Sequence, residues 1–245
     1  MRLFLRDKSP GVDGCAALPS SLLDVRIPTT AFNDTTESAM QLYYNPMSSS
    51  ARRVLLTIAH LGLKLDMQLV TNMMEPAQRA TLLRVNPNAK VPVLVDGDFV
   101  LWESCAIMQY LAEKTPGQTL FPQDLQARMD VQRWMYWGAQ HWQPLLGIYN
   151  WENHIKRWLG MGVGDPQALS RADAELARYG AVLESHLADR EWISGDRLSL
   201  ADFTLASALA DIEAAKMPMQ PYANILAWVE RLRALPAWQQ VVQAA

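Results

Sequence analysis

The chain has 245 residues, half of them hydrophobic and 19% charged, with a formal net charge of −3. That length holds one large domain or two small ones, and the mild acidity argues against a nucleic-acid binder, which carries a basic patch. Cys15 and Cys105 form no CxxC pair, and His60, His141, His154 and His186 lie far apart, so neither a disulfide framework nor a metal site is expected. No apolar run reaches the roughly 18–20 residues a membrane span needs.

Residues 1–39 are mixed in charge and broken by Pro and Gly, and they read as a loose, disordered extension without a secretory leader pattern. Met40 directly precedes the first convincing strand and is a candidate start of translation. "MQLYYN" (40–45) is a short aromatic strand stopped by Pro46. In "SSSARRVLLTIAHLGL", Val54, Leu55, Ile58 and Leu61 recur at helical spacing, with Gly62 as C-cap. "DMQLV" reads as a second strand and "EPAQRATLLRVNP" as a weakly helical or irregular connector. "VPVLV" and "FVLWE" flank Asp96-Gly97-Asp98, a hairpin signal, and helical spacing resumes from Ser104, its cap, to about Lys114. A strand–helix–strand start implies a parallel pair with a right-handed crossover, and the hairpin adds antiparallel strands: a mixed four-stranded sheet.

"TPGQTLFPQD" (115–124) has linker composition, and strand signals end there. Residues 125–149 carry Val131, Trp134, Met135, Gly138, Trp142 and Leu145 at 3–4 spacing and predict one long helix. Asp165-Pro166 start a helix running to about Leu187, and Ser199 and Asp202 form an S-x-x-D capping pattern before an apolar run. "YANILAWVERLRAL" and "PAWQQVVQAA" close the chain as short helices. The second half is all-α.

From Met40 onward the chain resembles the cytosolic glutathione transferases, through "YYNPMSSSARRVLL", "NPNAKVPVLVDGDFVLWESCAI" and "GDRLSLADFTLASAL" in order. The resemblance implies an α/β plus all-α architecture: a thioredoxin-like, glutathione-binding domain over 40–117, a linker over 118–124 and a helical domain over 125–245. It implies a cis Val91–Pro92 bond that turns Val91 toward glutathione, pairing with the cysteinyl backbone like an added strand. Glu103 and Ser104 would bind the γ-glutamyl end, where a helix N-terminus suits a carboxylate. Lys90 would reach the glycyl carboxylate. Cys105 stands where several classes have arginine, so any carboxylate contact from that arginine is missing.

The chemical task is to hold glutathione as a thiolate. Ser48, two residues after Pro46, matches the serine of the phi- and delta-like classes and is the first candidate for the activating hydroxyl. Tyr44 and Ser49 occupy the positions other classes use. Cysteine is absent from 44–50, which argues against mixed-disulfide chemistry; Cys105 reads as a small buried hydrophobe. Trp134 and Trp142 fall on the core stripe, while Trp137 and His141 share the next face and could border a pocket. The implied protein is a cytoplasmic, homodimeric detoxification enzyme that conjugates glutathione to a small hydrophobic electrophile without metal, nucleic acid or membrane. The alternatives are a non-catalytic binding or regulatory protein of the same fold, or a glutathione-dependent isomerase, dehalogenase or peroxidase.

Overall fold

The structure, a computed structural model, describes residues 40–73 and 75–243; the expected extension over 1–39 lies outside them. Strands β1 (Gln41–Tyr44), β2 (Asp66–Leu69), β3 (Val93–Asp96) and β4 (Phe99–Trp102) form one sheet in the order β2-β1-β3-β4. β1 runs parallel to β2, with Leu42 opposite Met67, and antiparallel to β3, with Leu42 opposite Leu94. The parallel pair needs a crossover, supplied by α1 (Ser49–Leu61). This helix buries Val54, Leu55 and Ile58 and ends at Gly62, whose φ of 66° a side chain would disfavour. The β3–β4 hairpin turns through Gly97 and Asp98, with Asp96 opposite Phe99, and leads into α3 (Ser104–Glu113).

The connector that the sequence leaves open is a helix, α2 (Pro76–Val85). Glu75 caps it by accepting from Ala77 N and Gln78 N at 2.9 and 2.8 Å, and Pro76 suits its first position. Leu82 is its one buried side chain, so it lacks an apolar stripe.

The helical half comprises α4 (Leu125–Trp137), α5 (Gln143–Tyr149), α6 (Lys156–Trp158), α7 (Pro166–His186), α8 (Leu200–Ala206), α9 (Ala223–Arg233) and α10 (Pro236–Trp238). The single helix expected over 125–149 is interrupted by a π-helical turn at Gly138–Trp142. Packing against α8 accounts for it: a Cβ at Gly138 would lie 2.9 Å from Leu205 Cδ1, and Trp142 Nε1 donates to Leu205 O at 3.2 Å. Trp134 and Trp142 are buried in the core as expected. Trp137 and His141 pack on Tyr179 of α7, with ring centroids 5.9 and 5.1 Å away.

Asp202 is fully buried and accepts from Ser199 N, Ser199 Oγ, Ile193 N and Trp228 Nε1, all within 2.8–2.9 Å. It anchors the start of α8 and ties α9 to it. Burial pushes its carboxyl above the ordinary aspartate value, and these four donors oppose that push. The two halves meet along α1. Arg52 donates to Ser207 O at 2.8 Å and forks onto Asp211 at 3.0 and 3.2 Å, an ion pair almost wholly removed from water.

Candidate active site

Ser48 is the N-cap of α1; its Oγ accepts from Ala51 N at 3.3 Å, and its own proton stays available to a ligand. The Val91–Pro92 bond is cis, as the resemblance implies. Val91 sits just outside the β1–β3 ladder, whose last pair is Tyr43–Val93, so its backbone is not committed to that ladder. The loop before it is held by the buried Asn86, whose Nδ2 donates to Lys90 O at 2.9 Å.

The cap of α3 differs from expectation. Glu103 occupies the N-cap position with φ 74° and makes no side-chain cap bond, and Ser104 is the first helical residue. A non-glycine residue in that region is strained, and such strain persists where surrounding structure enforces it. The consequence is local: Ser104 Oγ and the first N–H groups of α3 stay free of intrahelical partners.

Lys90, Val91, Pro92, Glu103 and Ser104 line one cavity of about 370 Å³, together with Ser50 of α1. Four of the five predicted site residues are thus brought together; Ser48, the N-cap of the helix that contributes Ser50, does not itself line this cavity. Tyr44 lines a different cavity, with Pro46 and Leu63.

A second cavity of about 590 Å³ shares Ser50, Glu103 and Ser104 with the first and is otherwise lined by both halves of the chain, including Ser49, Arg53, Cys105, Tyr136 and Gln143. Two of its residues escape sequence reasoning. Arg53 is fully buried; it donates to Cys105 Sγ at 3.3 Å and to Gln143 Oε1. Gln143 in turn donates to Ser49 Oγ at 3.0 Å and to Ser50 Oγ at 2.7 Å. Burial pushes the Arg53 guanidinium below its ordinary value, while the Cys105 sulfur and the Glu103 carboxylate pull it back up. Cys105 is half-buried and carries a guanidinium contact, so it is not the simple buried hydrophobe expected. Gln143 lies 93 residues from Ser50 and belongs to no motif, so nothing local marks it.

Residues 38–113 match the family model for the glutathione S-transferase N-terminal domain, and residues 166–231 match that for the glutathione S-transferase C-terminal domain. Glutathione S-transferase D7 of Drosophila melanogaster is 26% identical over 208 residues, which is 84% of this chain and 89% of that protein. The structure of glutathione S-transferase III in apo form is 28% identical with a TM-score of 0.75, over 84% of this chain and 96% of that one. That of glutathione S-transferase I bound with lactoylglutathione is 27% identical with a TM-score of 0.75, over 84% of this chain and all of that one. The architecture is a thioredoxin-like sheet domain followed by a helical domain. The chain belongs to the glutathione S-transferase family, enzymes whose co-substrate is glutathione.

Proposed function

We propose that this protein conjugates the thiolate of glutathione to a small hydrophobic electrophile. The observation that carries the reading is the clustering of Lys90, Val91, Glu103 and Ser104 around one cavity closed by the first turn of α1. In this reading Val91 pairs with the cysteinyl backbone, and Lys90 takes the glycyl carboxylate. Ser104 and the free N–H groups of α3 take the γ-glutamyl carboxylate, while Glu103 takes the ammonium. The similarity to a transferase bound with lactoylglutathione supports a glutathione derivative as the ligand. Ser48 donates to the sulfur from the N-terminus of α1, where the helix dipole also favours an anion. The thiolate then attacks the electrophile in the neighbouring cavity.

Retention on immobilised glutathione, followed by turnover of an aryl halide, tests this reading. Retention without turnover of any acceptor would instead support a binding protein, and no retention would refute both. A homodimer belongs to the same proposal: β4 is an edge strand whose Phe99 and Trp102 are exposed, which suits an isologous contact. Sedimentation should give about twice 27.5 kDa, and a monomer at micromolar concentration would contradict it.

A further inference from the structure

Large apolar side chains stand in water around the turn between α6 and α7. The backbone stays helical from α5 through a π-helical stretch (Asn150–Ile155) into α6, and the chain then doubles back to start α7. Trp151, Trp158, Leu159, Met161 and Val163 are all exposed here, although burying any of them would be favourable. The turn is built rather than slack. Met161 N donates to Lys156 O at 2.8 Å and Gly160 N to Arg157 O at 3.1 Å, a Schellman close with Gly160 at φ 67°. Further on, Asp165 N donates to Glu152 Oε2 at 2.7 Å, and a Cβ at Gly164 would lie 2.8 Å from Glu152 O. The returning segment is therefore laid against the helix, and Val163, next to Gly164, comes back to the level of Trp151, next to Glu152. The exposed side chains form one patch.

The charges around the patch are unevenly engaged. Glu152 is buried and receives Lys156 Nζ at 2.5 Å as well as Asp165 N, so that acid and that base answer each other. The Asp165 carboxylate caps α7, accepting from Gln167 N at 2.9 Å. Arg157 is exposed and makes no ion pair among the described residues, which leaves a cation as the free charge of the patch. Shape narrows the partner further. Trp158 is 72% and Val163 82% exposed, so both project beyond their surroundings. A flat protein face would meet only their tips, whereas lipid headgroups close around them. Tryptophan and aliphatic side chains beside an arginine match that boundary, with the ring at headgroup level and the guanidinium on phosphate.

We propose that the α6–α7 turn is a docking surface for bilayers that carry anionic phospholipid. Trp158, Leu159, Met161 and Val163 enter the boundary between headgroups and acyl chains, and Arg157 faces lipid phosphate. The expectation that no membrane is involved rests on the lack of a spanning run, and among the described residues no helix is long and apolar enough to cross a membrane. A surface that lies on a bilayer needs no such run. The pinned turn holds the patch out before any lipid arrives, so little ordering is left for docking to impose.

The test is co-sedimentation of the full-length protein with vesicles of phosphatidylcholine alone and of phosphatidylcholine mixed equally with phosphatidylserine. Wild type should partition about fivefold more strongly onto the mixed vesicles, the share of one basic side chain, and high salt should remove that preference. Trp158→Ser/Val163→Ser should lower partitioning onto both vesicles at least about tenfold. Arg157→Gln should abolish the preference for phosphatidylserine while leaving binding to phosphatidylcholine in place. These side chains are exposed, so thermal midpoints and retention on glutathione should match wild type in every variant. Wild-type protein that stays in the supernatant with both vesicles overturns the inference, as does equal partitioning of wild type and Trp158→Ser/Val163→Ser. Self-association that the same substitutions remove, without vesicle binding, assigns the patch to a second copy and overturns it too.

Discussion

Replacing Ser48 separates its observed role as N-cap of α1 from its proposed role as donor to the glutathione thiolate. As donor to a thiolate it contributes about 1.5–3 kcal/mol, equivalent to lowering the bound thiol by about one to two pK units. An ordinary thiol near pKa 8.5 is only about 1% ionised at pH 6.5, whereas one lowered by one to two units is about 10–50% ionised. Ser48→Ala should therefore slow turnover about 10- to 50-fold at pH 6.5, and the gap should close as pH rises past about 8.5, where solvent ionises the thiol unaided. As N-cap, Ser48 accepts from Ala51 N at 3.3 Å, a long bond, so alanine should cost about 1 kcal/mol or less and lower the melting temperature by about 2–4 °C. Glycine at an N-cap costs only a few tenths of a kcal/mol. Ser48→Gly should thus repeat the kinetic loss with almost none of the thermal loss. Stopped-flow rates from pH 6 to 9, beside calorimetric melting of both variants, give the readout. Wild-type rates in Ser48→Ala and Ser48→Gly at every pH would refute Ser48 as the donor.

Ser104→Ala should weaken glutathione binding by about 1–3 kcal/mol, roughly 5- to 150-fold by titration calorimetry, without the cap penalty that a serine N-cap would add; unchanged affinity removes it from the site. Asp202→Ala should destabilise the fold by about 3–5 kcal/mol in urea, since it strands the Trp228 indole and the Ile193 amide in the core. A loss under 1 kcal/mol would contradict that accounting. Lys114 and then Tyr110 donate to Asp96 and hold its carboxyl below the ordinary value. A depressed carboxyl stabilises the fold above its unfolded pKa of about 3.9, and the gain is lost as pH falls through the folded value. The urea-midpoint gap between wild type and Asp96→Asn should accordingly be widest near neutrality and close under acid. A gap that is constant from pH 7 to 2.5 would refute the sign.

Much of the fold is legible because short-range chemistry specifies it. Asp-Gly turns a hairpin, Gly62 stops α1, and Asp165-Pro166 starts α7, each through a constraint on a few neighbouring residues. α2 escapes a firm reading because it buries only Leu82, and periodicity needs a stripe. The π-helical turn escapes because 3–4 spacing presumes a regular helix, whereas the extra residue is imposed by α8 packing against Gly138. Lys90, Val91, Glu103 and Ser104 are found as candidates since they share a contiguous motif. Which residue caps α3 was not, for an acidic N-cap at positive φ has no sequence mark. Arg53 and Gln143 are invisible for a different reason: their significance exists only once segments 90 residues apart are folded together.

The seam along α1 bears on how such chains can be recombined. Arg52 is answered from the helical half by Asp211 and Ser207 O, and the serine run is answered by Gln143. The glutathione-facing half thus depends on a partner segment for the neutralisation of Arg52 and for the aim of Ser49 and Ser50. A chimera that grafts this sheet domain onto a relative's helices should assemble as a working unit only where the donor supplies glutamine and aspartate at the equivalents of 143 and 211. Swaps lacking the aspartate should be poorly soluble, and swaps lacking only the glutamine should be soluble proteins with misaimed hydroxyls.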